Sequence, residues 1–98
     1  MIPKTFDILG IKVKVEYRKL LYKKEKAIGL WLPQENKILI QENVKECMVS
    51  QEQKEQIFFH ELTHCILDKL GYAKLSADEK LVDTVGSCFH QVLKTMRY

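Results

Sequence analysis

The sequence has little of what marks a secreted or a membrane-embedded protein. It has three cysteines, an odd number, and no CxxC spacing, so neither a disulfide framework nor a thiolate zinc site is indicated. No stretch approaches the roughly 18 to 20 apolar residues of a membrane span, and the first ten residues lack the basic segment and long apolar core of a signal peptide. We therefore expect a cytoplasmic protein that has no membrane partner.

The excess of charge is also small. Sixteen Lys and Arg against 13 Asp and Glu leave a net charge of +3, far below that of a dedicated nucleic-acid binder. The excess is concentrated in residues 12–26, which hold seven basic and two acidic residues. A solvated strand face and loop is the favoured interpretation of this segment, and contact with an acidic partner or a nucleic-acid backbone is the alternative. We do not expect nucleic acid as a partner.

Proline and glycine are scarce, with two and four residues among 98, and there is no linker or repeat. This length has room for one core, so we predict a single domain over residues 1–98. Three segments favour strands: Phe6–Tyr17, by its alternation of apolar and polar residues, then Ala27–Leu32 and Lys37–Gln41 on either side of a turn. Together they predict a small, mainly antiparallel sheet of about three strands.

The second half of the chain has helical periodicity. Ser50 with Gln53 three residues later fits a capping box at the start of a helix, and Gly71 fits its end. A second helix is predicted to begin after Ser76, with Glu79 at the capping-box position. We therefore predict an α+β fold in which the sheet packs on two long C-terminal helices.

The first helix contains the motif HELTH, an instance of HExxH formed by His60, Glu61 and His64 with two residues between. Residues four apart lie one turn along the same helix face, so the two histidines can bind one Zn²⁺. Glu61 is rotated about 100° from His60, which places it outside the ligand shell but within reach of a water on the metal. The motif therefore predicts a metal site.

A catalytic zinc site needs a third protein ligand. Asp68 lies one turn beyond His64, where it could hydrogen-bond that histidine but would have difficulty closing a tetrahedral site. Glu79 and Asp83 share one face of the second helix, and the best assignment makes Glu79 the ligand and Asp83 an acceptor for the N–H of a ligating histidine. His90 lies about 16 Å along the helix from Glu79, so we expect it to be peripheral.

HExxH in one helix followed by ExxxD in the next resembles the gluzincin metallopeptidases. The short chain is most similar to the minigluzincins and the related ImmA/IrrE-like peptidases of phage and other mobile elements. The resemblance implies a minimal zincin-like fold in which His60, His64 and Glu79 bind zinc, Glu61 is the general base and acid, and Asp83 supports a ligand. It also implies that the strand before the active-site helix is a sheet edge that pairs with an extended substrate, through Lys37, Ile38, Leu39 and Ile40.

The function expected from this resemblance is zinc-dependent hydrolysis of a peptide or protein substrate, with one Zn²⁺ per chain and a water activated by Glu61. Two alternatives stay open. In the first, the protein is a catalytically idle or latent zinc-binding module that acts through protein partners. In the second, the basic segment contacts nucleic acid and HELTH is a coincidence. The sequence makes no prediction of oligomeric state.

Overall fold

The fold combines a four-stranded sheet with helices, which confirms the predicted α+β class. The structure is a computed structural model, and it describes residues 2–98. Its elements, in chain order, are β1 (Thr5–Ile8), β2 (Ile11–Arg18), α1 (Leu21–Glu25), β3 (Gly29–Leu32), β4 (Lys37–Gln41), α2 (Gln51–Lys69), α3 (Ala73–Ser76) and α4 (Glu79–Thr95). None of the helices within residues 2–98 combines the length and hydropathy needed to cross a bilayer.

The sheet is mixed and has four strands, so the predicted number of about three was wrong, while two of its three strand pairings are antiparallel, as a mainly antiparallel sheet requires. Its strand order is β1-β2-β4-β3, with β2 and β4 parallel and the other two pairings antiparallel. The predicted first strand is in fact a hairpin, because Leu9 and Gly10 both take positive φ and turn the chain between β1 and β2. The parallel pair arises because α1 and β3 carry the chain back before β4 begins, a crossover that local periodicity does not reveal.

The prediction that β4 is the substrate edge was also wrong. Strand β4 is hydrogen-bonded to β2 on one side and to β3 on the other, so Lys37, Ile38, Leu39 and Ile40 lie in the interior of the sheet. Their consecutive apolar side chains suit a strand covered on both faces, and the three apolar residues are buried. The edge on this side of the sheet is β3.

Helix α2 packs across one face of the sheet and forms the core with it. The core there includes Val13, Ile38, Ile40 and Phe58. Helix α4 packs on α2 rather than on the sheet, so only Val82, Gly86 and His90 of α4 are buried. The opposite sheet face is covered in part by the short helix α1.

The two long helices begin at different kinds of cap. The predicted capping box at Ser50 and Gln53 is confirmed, with both reciprocal hydrogen bonds present. The predicted cap at Ser76 was wrong: Asp78 caps α4 by accepting a hydrogen bond from the backbone N–H of Leu81 at 3.1 Å. Ser76 instead ends the intervening turn of helix α3, and its hydroxyl contacts His64.

Candidate metal centre

The two motif histidines project side by side from the middle of α2. Their ring centroids are 5.1 Å apart, with the rings inclined at 69°. Both side chains are partly accessible, unlike the neighbouring Phe59 and Thr63, which are buried. Helical geometry explains the pairing, because residues four apart stack on one face.

Glu79 lies across from both imidazoles at the first turn of α4. One carboxylate oxygen is 3.3 Å from Nε2 of His60 and the other is 3.2 Å from Nε2 of His64. One possible ligand atom from each of the three residues lies within 4.8 Å of the other two. We call His60, His64 and Glu79 the His–His–Glu group; no other such group of three occurs within residues 2–98.

The spacing of these donors fits a bound metal ion. An ion about 2.0 to 2.2 Å from its ligands in tetrahedral geometry separates neighbouring ligand atoms by roughly 3.3 to 3.6 Å. The two contacts between carboxylate and imidazole lie at that separation. The His–His–Glu group could therefore hold a metal ion.

The second nitrogen of each histidine also has a polar neighbour. Nδ1 of His60 lies 3.5 Å from Oδ1 of Asp83, and Nδ1 of His64 lies 3.0 Å from the hydroxyl of the buried Ser76. When Nε2 binds a metal, Nδ1 carries the proton and donates it to such a partner, which orients the ring. Asp83 thus lies where the sequence placed it, whereas Ser76 has no sequence signal, because only the tertiary fold brings it to His64.

Asp68 forms no hydrogen bond with His64, contrary to the alternative considered from the sequence. Its Oδ2 accepts a hydrogen bond from the indole N–H of Trp31 at 2.8 Å. The bond connects the end of α2 to β3. Asp68 still lines the cleft beside the group.

Glu61 lies between α2 and the edge strand β3, with only 8% of its surface exposed. The pKa of this carboxyl is raised to about 7: burial is the largest cause and the carboxylate of Glu79 adds to it, while His60 and a hydrogen bond from the backbone N–H of Trp31 oppose the shift. Desolvation on burial raises the pKa because it penalises the charged form of a carboxyl. Glu61 is therefore poised to exchange a proton near neutral pH.

Two glycines permit the close approach of the elements that build the site. A Cβ at Gly29 would collide with Ile57 and lie 3.1 Å from Oε2 of Glu61, and a Cβ at Gly86 would lie 3.0 Å from Cα of His60. Gly29 thus lets β3 lie against Glu61, and Gly86 lets α4 lie against α2. Gly29 has no role that the motifs of the sequence indicate; its only signal is a glycine inside a strand pattern, which often marks close backbone approach.

An open cleft runs beside the group, along the outer side of β3. It comprises two adjoining depressions of about 420 and 520 Å³ that share His60 and Glu61. The N–H of Gln41 donates to the carbonyl of Ile28, and antiparallel pairing alternates inward and outward groups. The backbone groups of Gly29 and Trp31 therefore point away from β4, toward the free side of the strand.

The third histidine of the chain lies apart from the group. His90 is buried and stacks on Phe59, with ring centroids 5.7 Å apart. Its Nε2 is 3.1 Å from a carboxylate oxygen of Glu55. His90 thus belongs to the packing between α2 and α4. It lies about three turns along α4 from Glu79.

Comparison of the chain with protein-family models, with curated proteins and with solved structures finds no match in any of the three. The residues and geometry of the candidate centre are therefore the basis for assigning a function.

Proposed function

We propose that the protein is a zinc-dependent metallopeptidase of the gluzincin type, with His60, His64 and Glu79 as the zinc ligands. The observation that carries the proposal is the position of the Glu79 carboxylate. Its two oxygens lie 3.3 Å from Nε2 of His60 and 3.2 Å from Nε2 of His64. The buried Glu61 adjoins this group. Structural ion pairing alone would not require a second acid at that position.

The ligand set favours zinc. Two imidazoles and one carboxylate are among the donor sets of catalytic zinc, which leaves a fourth position for water or substrate. When bound, Zn²⁺ polarises a substrate carbonyl and lowers the pKa of a water toward roughly 7. Asp83 and Ser76 hold the imidazoles in the tautomer that presents Nε2, since each accepts from Nδ1.

Glu61 is the proposed general base and acid. A base works best when its pKa lies near the working pH, and burial raises the pKa of Glu61 in the metal-free protein to about 7. Its carboxylate accepts the proton of the attacking water and returns it to the leaving amine. The N–H of Trp31 orients the carboxylate in both steps.

The proposed substrate edge is β3, in place of β4. The outward backbone groups of Gly29 and the carbonyl of Trp31 border the cleft, and an extended peptide can add to a free strand edge by backbone hydrogen bonds. This arrangement would lay the scissile bond beside Glu61 and the His–His–Glu group. A peptide or protein segment in extended conformation is therefore the proposed substrate.

The test compares wild type with Glu61→Gln, both loaded with zinc. We expect about one zinc per chain in both proteins, and cleavage of a peptide library that falls about 10²- to 10⁴-fold in the variant. The amide cannot accept the proton, but it leaves all three ligands in place. Undiminished cleavage by the variant, or wild type that takes up no zinc, would contradict the proposal.

A second candidate is a zinc-binding module that does not hydrolyse peptides. It is favoured by the lining of the two depressions, which in the described chain includes no Tyr, no Arg and no third His. Such side chains are common donors to the negative oxygen that develops during peptide hydrolysis. Stoichiometric zinc without cleavage of any library peptide, by wild type as well as Glu61→Gln, would favour this candidate.

A further inference from the structure

The sheet face opposite α2 contains a groove that the metal centre does not use. Helix α1 is only five residues long, from Leu21 to Glu25, and it covers only part of this face. The uncovered part, between α1 and β3, is an open depression of about 540 Å³. We call it the leucine groove.

The floor of the leucine groove is aliphatic. Leu21 and Leu39 are buried at its base, while Leu30 and Leu32 of β3 are half-buried along one side. Leu20 is 49% exposed at the rim. Leucines that stay accessible on a structured sheet face gain free energy when a partner covers them, because apolar surface is removed from water.

The rim of the groove is basic. Arg18, Lys19 and Lys24 border it, with Glu25 as the single acidic residue among its lining. Arg18 is paired with Glu16, whereas neither Lys19 nor Lys24 forms an ion pair with a carboxylate within residues 2–98. These two lysines belong to the basic segment of residues 12–26, which holds seven of the 16 basic residues of the chain and only two acidic ones.

We infer that the leucine groove binds an acidic, leucine-containing peptide segment of a protein partner. The aliphatic floor would take the partner's apolar side chains, and Lys19 and Lys24 would pair with its carboxylates. A nucleic acid fits less well, because within residues 2–98 no aromatic side chain lines the groove to stack on a base. A membrane surface fits less well too, since the leucines lie in a recess rather than on a protruding face.

The leucine groove and the metal centre share strand β3. Leu30 and Leu32 line the groove, and Gly29, Trp31 and Leu30 itself border the cleft. A partner held in the groove would thus contact the strand that also forms the edge of the cleft. The binding itself does not depend on zinc or on catalysis.

The test measures binding of a fluorescein-labelled ten-residue peptide in which leucine alternates with aspartate. Fluorescence anisotropy is followed with the Glu61→Gln protein, so that cleavage cannot remove the probe. We expect saturable binding that Lys19→Glu with Lys24→Glu weakens by about tenfold or more. Peptides with serine for leucine, or lysine for aspartate, should lose binding to a similar degree.

The matched control reverses the charge of Lys74 and Arg97, two exposed residues outside the groove. This variant has the same net charge as the first and should bind the peptide within about twofold of the unaltered protein. Three results would overturn the inference: no saturable binding of the peptide, an equal loss in the control variant, or preferential binding of a single-stranded oligonucleotide or phosphatidylserine vesicles. None of them would bear on zinc binding or hydrolysis.

Discussion

Helices α2 and α4 bring a histidine and a carboxylate together twice, once at each end of their contact, with opposite results. At one end, Glu79 of α4 faces His60 and His64 of α2, and its side chain is 69% exposed. At the other end, Glu55 of α2 faces His90 of α4, whose side chain is 8% exposed. The first arrangement is an open set of donors, and the second is a closed pair.

The difference shows what a helix interface needs in order to build a metal site. Two imidazoles one turn apart on α2 and a carboxylate at the accessible first turn of α4 provide three donors beside a cleft. The His90–Glu55 pair has one imidazole, whose ring is covered by Phe59. A buried histidine with one carboxylate satisfies its own hydrogen bonding but leaves no place for an ion and its fourth ligand.

The largest expected effect is the loss of metal binding in His60→Ala. Removal of a ligand should reduce zinc affinity by more than the roughly 100-fold that loss of an outer partner can cost. Competition with a chromophoric chelator measures the change. His90→Gln is the matched control, because it alters the histidine of the closed pair, and its zinc affinity should stay within about twofold of wild type. Equal losses in the two variants would contradict the distinction between the ends.

The carboxylates of Glu61 and Glu55, on the same helix, should give opposite pH dependence of stability in metal-free protein. Burial raises the pKa of Glu61 from 4.5 to about 7. The contribution of this group to stability is therefore fully present below pH 4.5 and is lost as pH rises through 7. Glu61→Gln should then raise the free energy of unfolding near pH 8, by at most about 3 kcal/mol, and change it little near pH 4.

Glu55 is the counterpart with the opposite sign. Its hydrogen bond with His90 lowers the pKa of the carboxyl below 4.5, so its contribution is present above pH 4.5 and is lost as pH falls through the lowered value. Glu55→Gln should therefore lower stability near pH 8. Urea unfolding with a chelator at several pH values measures both variants, and shifts of the same sign would refute this assignment.

A smaller effect is expected from the side chains beside Nδ1 of the two proposed histidine ligands. Asp83→Ala and Ser76→Ala should each weaken zinc binding by about 10- to 100-fold, because the imidazole loses the acceptor that orients it. Thr84→Ala is the matched control: this exposed hydroxyl, next to Asp83, bonds only to the carbonyl of Lys80. Calorimetric titration with zinc measures the affinity of all three variants. Unchanged affinity in both Asp83→Ala and Ser76→Ala would contradict the role proposed for the acceptors at Nδ1.

The smallest effect should come from Gly86→Ala. The new Cβ would lie about 3.0 to 3.1 Å from backbone atoms of Phe59 and His60, so α4 must move away from α2 by a few tenths of an ångström. Alanine has a helix propensity about 1 kcal/mol more favourable than that of glycine. Overpacking of the helix contact costs about 1 to 3 kcal/mol and opposes this gain. We expect a net loss of about 1 kcal/mol in thermal or urea unfolding, with weaker zinc binding. Ser87→Ala, on the exposed side, should change neither.

Much of the candidate site could be predicted because its signals are local. The spacing of His60, Glu61 and His64 within one helix determines their relative directions, and the spacing of Glu79 and Asp83 does the same on α4. The capping box at Ser50 is likewise a pattern within four residues. The sequence by itself thus determined the α+β class, the two long helices and the residues that could form a metal site.

Only the tertiary structure decided which strand forms the edge and which groups complete the site. Strand pairing depends on contacts between residues distant in sequence, so the parallel pairing of β2 with β4 and the edge position of β3 had no local signal. The contact of Ser76 with His64, the burial of Glu61 against Gly29 and the leucine groove follow from the same long-range packing. Sequence spacing sets directions within one element, whereas distances between elements are set by the packing of all of them.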